Sequence, residues 1–440
     1  MILPGYVLRC VDALEAEGFA AYAVGGCVRD AALGLTPHDY DLCTDARPDQ
    51  IRRVFRNDRL VLAGEKHGTV TVITEGGPVE ITTFRTEGDY SDSRHPGWVR
   101  FVPNIEADLA RRDFTVNAMA FSPTRSYSDP FGGLADLEHG ILRAVGDPQT
   151  RFREDALRIL RGVRFSIRYR LSPDPATEQA MLALTPLLDV LARERVFDEL
   201  CRLLPLASAQ DILRWQRILC QVLPELAPTV GFAQHSPHHA YDVFTHTAHV
   251  VEATPPQLPL RLAALLHDIG KPPVFTLDDQ GVGHFLGHAK RGAELANAAL
   301  LRLKAPTQLR TQVTDLITRH MTPLEPDKRL LRRRMSQYGT QGVWDQLRLQ
   351  EADRIGTGIP DNMDLFPQIA AILAELEAED ACLRIKDLAV DGRDLIALGF
   401  APGPSLGAAL TRLLEQVLDD RLPNERQALL NEAKHILKDR

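Results

Sequence analysis

The sequence predicts an α+β protein: a mixed strand-and-helix head followed by a long helical remainder. Three observations predict it. Strand-like and helix-like runs alternate through the first 140 or so residues of the 440. From about residue 150 the apolar periodicity turns helical and stays so. Pro- and Gly-marked breaks punctuate that helical stretch near 172–175, 233–237, 255–259 and 402–404.

Taken in order, Val7 to Glu17 has helical periodicity and AYAVGG reads as a strand. VRDAALG reads as a short helix and HDYDLCT as a second strand. GTVTVIT and PVEITTF are two further strands, with the glycines at 76–77 as a hairpin turn. SDSRHPGWVR reads as an irregular loop.

Composition narrows the function classes. The chain is 44% hydrophobic and 25% charged, which is ordinary for a globular protein of two to four domains. A net charge of −8 gives no whole-protein basic field, so an RNA partner requires locally concentrated arginines and lysines. The six cysteines are scattered with no C-x-x-C pair, which argues against thiolate zinc or a disulfide framework and fits a reducing, cytoplasmic compartment. The N-terminus lacks a signal-peptide pattern and no apolar run reaches about 18 residues, so no membrane partner is expected.

Two acids, Asp39 and Asp41, lie one residue apart in TPHDYDLCTD. Within a strand they share a face and can hold one or two Mg²⁺ ions, which activate a hydroxyl and neutralise a triphosphate. Alone, D-x-D usually marks a solvated strand end. Here Gly25 and Gly26 end one strand and open a helix, where backbone N–H groups can face phosphate, and Arg29 can add a cation. Glu80 is either a third acid or an exposed strand charge.

The string AVGGCVRDAALGLTPHDYDLCTDA resembles the signature of class II CCA-adding enzymes and bacterial poly(A) polymerases, in the DNA polymerase β-like nucleotidyltransferase superfamily. RRDFTVNAMAF at 111–121 resembles a second motif of that family, and ITTFRTEGDYSDSRHPGWVRFV its mobile loop region. By this resemblance Gly26, Arg29 and Arg112 contact nucleotide.

The basic density absent overall appears locally. Between Arg143 and Arg170 there are eight arginines and three acids. Asp155, Arg158, Arg161 and Arg164 recur every three residues, so they form a slowly drifting ridge on one side of a helix. Such spacing usually means i,i+3 ion pairs on a wet face. It can also read bases: a carboxylate accepts from the exocyclic amine of cytosine or adenine while a guanidinium donates to the ring nitrogen. Guanine and uracil present the opposite order. EDALR at 154–158 resembles the family's E-D-x-x-R motif, which implies that Asp155 and Arg158 select the base and that Arg161 and Arg164 contact nucleotide. ARERVFDEL at 192–200 resembles a supporting helix, and equally reads as an amphipathic core helix.

A histidine series follows. His267-Asp268 falls within an apolar helical run, with His246 before it and Asp353 after it. This resembles the HD superfamily, whose minimal metal set is H…HD…D. His288 and His320 could serve a second metal, and the mixed donors permit Mn²⁺, Ni²⁺, Fe²⁺ or Mg²⁺. KRLLRRRM at 328–335 is either an RNA contact or a wet helix face, and a helix N-terminus after APGPS could hold an RNA phosphate.

The resemblance implies four parts: a polymerase β-like catalytic head over 1–140, a helical neck with the base-recognition helix over 141–234, an HD domain over 235–360, and a helical, tRNA-contacting tail over 361–440. The implied activity is template-independent addition of CCA from CTP and ATP to tRNA 3′ ends, with Asp39 and Asp41 holding Mg²⁺. No protein partner is implied. A-adding, CC-adding and poly(A)-adding enzymes share these motifs. A protein uridylyltransferase, or an HD phosphohydrolase with an RNA-binding head, fits them less well.

Overall fold

The computed structural model describes residues 1–90, 96–379 and 381–438. It divides into two compact units, Met1–Leu206 with Trp215–Pro224, and Ala207–Arg214 with Glu225–Arg440.

The first unit opens with α1 (Gly5–Ala16), which buries Val7, Cys10, Val11 and Leu14 on one stripe. It continues through β1 (Ala21–Val24), α2 (Gly26–Ala32), β2 (Asp41–Thr44), α3 (Pro48–Val54) and β3 (Arg59–Val61). The hairpin β4 (Thr69–Thr74) and β5 (Gly77–Thr83) follows. Val70 and Val72, then Val79 and Ile81, alternate into the core and leave Glu80 outside. A separate hairpin pairs β6 (Arg85–Tyr90) with β7 (Pro96–Phe101). Then come α4 (Ile105–Ala110), β8 (Ala120–Ser122), β9 (Ser126–Ser128) and α5 (Gly133–Glu138). The main sheet has seven strands in the order β3-β4-β5-β2-β1-β8-β9, and only β2 and β5 run parallel. β2 lies at its centre with Leu42, Cys43 and Thr44 all buried, as expected for a strand covered on both faces.

The helical part of this unit holds α6 (Pro148–Glu154), α7 (Leu157–Tyr169), α8 (Pro175–Ala183) and α9 (Arg193–Leu203). Of the next two helices, α10 (Ala209–Arg214) belongs to the second unit and α11 (Gln216–Val222) to the first.

The second unit contains α12 (Val243–Ala253), α13 (Leu258–Leu266), α14 (Lys271–Val274), α15 (His288–Arg302) and α16 (Thr307–Arg319). It goes on with α17 (Lys328–Tyr338), α18 (Thr340–Gly356), α19 (Leu365–Ala378), α20 (Gly392–Ala397), α21 (Pro404–Leu418) and α22 (Arg426–Lys438). Its last three helices pack a core of their own around Leu395, Phe400, Leu413, Leu429 and Ala433.

The structure corrects three local expectations. β2 begins at Asp41, not at His38, because β1 ends at Val24 and offers no partner further along. Asp39 therefore sits in the loop before the strand. The expected arginine helix is two helices: Asp155 breaks it with φ −144° and ψ 103°. Within SDSRHPGWVR, residues 91–95 lie outside the described residues, and Pro96 onward forms β7 rather than a loop.

Candidate functional site

Asp41 opens β2 as the register partner of Val24, the last residue of β1, and of Glu80 on β5. The chain leaves β1 through Gly25, whose φ of +71° is the left-handed conformation that glycine adopts freely. A Cβ there would also lie 2.8 Å from Arg112 Nη1. The antiparallel register thus sets the Asp41 carboxylate beside a sharp glycine turn and the start of α2. Asp39 and Asp41 are both exposed. Burial of its surroundings and then Glu80 raise the Asp41 carboxyl above its ordinary range, Arg112 opposes, and Asp39 adds to the rise. Crowded acids with one nearby guanidinium form an all-oxygen donor set that fits a hard divalent cation, with Asp39 and Asp41 as the groups to hold it.

Arg112 is the hinge of the site. Its Nη2 lies 3.3 Å from Asp108 Oδ2 and 3.5 Å from Cys43 Sγ. Its Nε is buried without a hydrogen-bond partner. Asp108 is fully buried; burial alone would raise its carboxyl, and Arg111 and Arg112 outweigh that and hold it below the usual range. The next residue, Asp113, accepts from Arg161 Nη2 at 2.6 Å and from Asn117 Nδ2 at 3.0 Å. Burial raises the Asp113 carboxyl, but Arg161 leads the groups that overcome it, so its pKa falls well below the ordinary value.

Arg158 donates from Nη2 to the Arg111 carbonyl at 3.1 Å and from Nη1 to Glu154 at 2.7 Å. Arg111–Asp113 therefore joins the acidic turn on one side to the arginines of α7 on the other. Asp155 accepts from Leu157 N at 3.0 Å and from Arg195 Nη2, on α9, at 2.9 Å. Asp155 and Arg158 thus do not form the i,i+3 ion pair their spacing suggests; each has its own partner. Arg164 is buried and donates to Glu199, also on α9, at 2.6 Å.

Arg29, at the start of α2, is held by three neighbours. It is 6% exposed, bonded to Asp30, to Asn117 Oδ1 at 2.5 Å and to the Tyr169 hydroxyl at 2.5 Å. Gly26 begins α2, one residue past the turn. Sequence reasoning missed Asp113, Asn117, Glu154 and Tyr169. The first two lie inside the quoted RRDFTVNAMAF, but nothing in a linear motif says which residue anchors which arginine.

The second unit assembles the histidine series. His246 comes from α12, His267 and Asp268 from the end of α13, His288 from the start of α15, His320 from the end of α16 and Asp353 from α18. Gly270 permits the assembly: a Cβ there would lie 2.2 Å from the His288 carbonyl. Two triads share Asp268, namely His246–His267–Asp268 and Asp268–His288–His320, with ligand atoms within 4.8 Å in each. Asp353 Oδ1 lies 3.0 Å from His246 Nε2. His288 and His320 use Nδ1 towards the carbonyls of Phe285 and Ile317, so Nδ1 carries the proton and their Nε2 lone pairs face each other at 3.2 Å. The Asp268 oxygens are buried without a hydrogen bond, although Lys271 Nζ stands 2.6 Å from Oδ2. Burial alone would lower His267, but Asp268 and Asp353 raise it to about 10; burial pushes His320 down to about 4. Opposed lone pairs around an ionised carboxylate fit divalent cations, one to each triad.

Three of the five basic residues of α17 pair with acids of the same unit: Lys328 with Glu375 and Glu379, Arg332 with Asp420, and Arg333 with Asp419.

Residues 21–143 match the family model of the poly A polymerase head domain, and 170–229 that of a probable RNA- and SrmB-binding site of polymerase A. Residues 280–433 match a putative second domain of tRNA nucleotidyltransferases. The CCA-adding enzyme of Levilactobacillus brevis is 36% identical over 96% of this chain and 95% of its own length. That of Lacticaseibacillus paracasei is 35% identical over 97% and 95%. The crystal structure of the Bacillus stearothermophilus CCA-adding enzyme with CTP aligns over 100% of this chain and 99% of its own, with a TM-score of 0.71 and 27% identity. A Thermotoga maritima CCA-adding enzyme complexed with tRNA shares the fold at a TM-score of 0.60 and 19% identity, over 99% and 96%. A likeness that runs end to end, in sequence and in fold, makes the assignment: the chain belongs to the CCA-adding enzyme family.

Proposed function

We propose that this protein adds CCA to tRNA 3′ ends from CTP and ATP without a nucleic-acid template. The observation that carries the proposal is Arg111–Asp113, which ties the acidic turn to the arginines of α7. The terminal hydroxyl of the RNA attacks the α-phosphate of the nucleotide and pyrophosphate leaves. A divalent cation, which we assign as Mg²⁺ on Asp39 and Asp41, lowers the pKa of that hydroxyl and shields the triphosphate when bound. Arg112, with its unpaired Nε beside the Gly25–Gly26 turn, contacts nucleotide phosphate or sugar. Asp155 accepts from the exocyclic amine of cytosine or adenine, and Arg158 donates to the ring nitrogen. Arg195 holds the Asp155 carboxylate, and Glu154 with the Arg111 carbonyl holds the Arg158 guanidinium. Arg161 and Arg164, fixed by Asp113 and Glu199, complete the nucleotide wall. Arg29 locks α2 to α7 through Tyr169. The four parts proposed from the sequence, 1–140, 141–234, 235–360 and 361–440, serve as catalytic head, neck, HD domain and RNA-contacting tail.

CCA addition is favoured over A-only, CC-only or poly(A) addition by the names of the full-length relatives. Among the described residues no helix is long and apolar enough to cross a membrane, and all six cysteines are free, which supports a cytoplasmic protein. The six-residue centre of the second unit supports a second reading beside the first: a metal-dependent phosphoester hydrolase.

The test is incorporation of labelled CTP and ATP into tRNA transcripts lacking one, two or three terminal nucleotides. Asp41→Ala is expected to lose roughly a thousandfold or more of incorporation, and Asp268→Ala no more than about twofold. Wild-type incorporation by Asp41→Ala would refute the proposal.

A further inference from the structure

Lys271 belongs to none of the motifs. It is 6% exposed, one turn past Asp268, and stands 2.6 Å from Asp268 Oδ2. Its second partner is Gln234 Oε1 at 2.8 Å. Gln234 is 3% exposed, and its Nε2 donates to the Tyr241 carbonyl at 3.2 Å. A carbonyl cannot donate, so the amide is fixed with its oxygen towards the ammonium. The Phe285 ring walls the same ammonium at 5.4 Å, and the Phe285 carbonyl orients His288.

An ammonium has three donors; one hydrogen-bonds Gln234 and Asp268 is held as an ion pair, which leaves donor capacity over. Lys271 lines a cavity of about 500 Å³ together with Asp268, His288, His320 and Asp353, whose other walls include the apolar Phe366. A buried cation placed beside a metal-binding carboxylate and facing a half-open cavity suits an oxyanion held by metal on its other side.

We propose that Lys271 binds a phosphoryl oxygen of the ligand of this centre, with Gln234 as its positioning residue. The inference rests on the metal-binding reading of the six histidine and aspartate ligands. In metal-free protein Lys271 neutralises Asp268; in loaded protein its free donor meets the phosphoryl group. The ligand class is a phosphate ester or inorganic phosphate.

The experiment is calorimetric titration of the full chain with Mn²⁺, then, at saturating Mn²⁺, with inorganic phosphate. The signal is the phosphate binding that Asp268→Asn removes, which excludes any contribution from the head. Lys271→Gln is expected to keep Mn²⁺ binding within about threefold of wild type, or tighter, and to weaken phosphate at least about tenfold. Lys271→Arg should recover most of that loss, and Gln234→Leu should show part of it. Wild-type phosphate affinity in Lys271→Gln overturns the inference and leaves the metal reading standing. If Lys271→Gln does not fold, Gln234→Leu decides: wild-type phosphate affinity there overturns the inference. Wild-type protein with no Mn²⁺ uptake sensitive to Asp268→Asn overturns both.

Discussion

Glu80 and Asp41 are register partners on parallel strands, so their carboxylates share one face of the sheet. Burial and then Glu80 raise the Asp41 carboxyl above its ordinary value of 3.8. A raised carboxyl is protonated at a higher pH than an ordinary aspartate, so the acid limb of nucleotide incorporation lies above that value. Glu80→Gln removes a like charge and lowers the Asp41 pKa, which moves the acid limb to lower pH. A pH profile of CTP incorporation by the two proteins checks this; an unmoved or upward-shifted limb contradicts it. Arg29 shows how tightly a motif residue can be anchored by its neighbours. Its bonds to Asp30, Asn117 and Tyr169 leave a single N–H, on Nη1, for anything else.

At the scale of elements, the break between α6 and α7 separates Asp155 from Arg158, the pair proposed to read the base. A continuous helix would place Asp155 within reach of Arg158 and invite them to satisfy each other. Instead Asp155 leaves helical geometry, and α9 supplies Arg195 to hold it. Arg195→Met frees that carboxylate to pair with Arg158. The expected result is roughly a tenfold loss of discrimination against UTP and GTP, the cost of about one polar contact, with the fold retained. Competition incorporation with CTP against UTP reads it; unchanged selectivity would show that α9 only packs. The α17 run is the opposite case: its cations meet acids of α19 and of the segment after α21. KRLLRRRM is therefore partly an internal clamp, and charge density alone did not reveal it.

At the scale of the whole molecule, two compact units each hold one acidic centre with different donors, oxygen in the first and mixed nitrogen and oxygen in the second. The second centre couples to stability. Without metal, His267 is raised to about 10 from 6.5. A raised histidine contributes stability in full below its unfolded pKa, and that contribution is lost as pH rises through 10. Asp268 and Asp353, held well below 3.8, contribute stability above that value, which is lost as pH falls. A bound metal takes the place of the proton. Mn²⁺ at about 100 times its Kd is expected to add roughly 2.7 kcal/mol to the unfolding of this unit. It should also flatten the alkaline loss. Differential scanning calorimetry from pH 7 to 10, with and without Mn²⁺, measures both, and Asp268→Asn should abolish the metal effect.

The sequence by itself determined the family, the α+β head with its helical sequel, the central hairpin, and nearly every residue proposed for chemistry. Those features are local: period-two and helical periodicity, a glycine pair, and acids or histidines at fixed spacing all act within a few residues. Only the tertiary structure decided where strands begin and which charges meet. β2 starts at Asp41 because β1 ends at Val24, Asp155 leaves its helix and is held by Arg195, Asp113 anchors Arg161, and Lys271 reaches Asp268 through a turn fixed by Gly270. The reason is physical. Buried charges must find partners, and most of these partners lie tens of residues away in the chain, where no local pattern can name them.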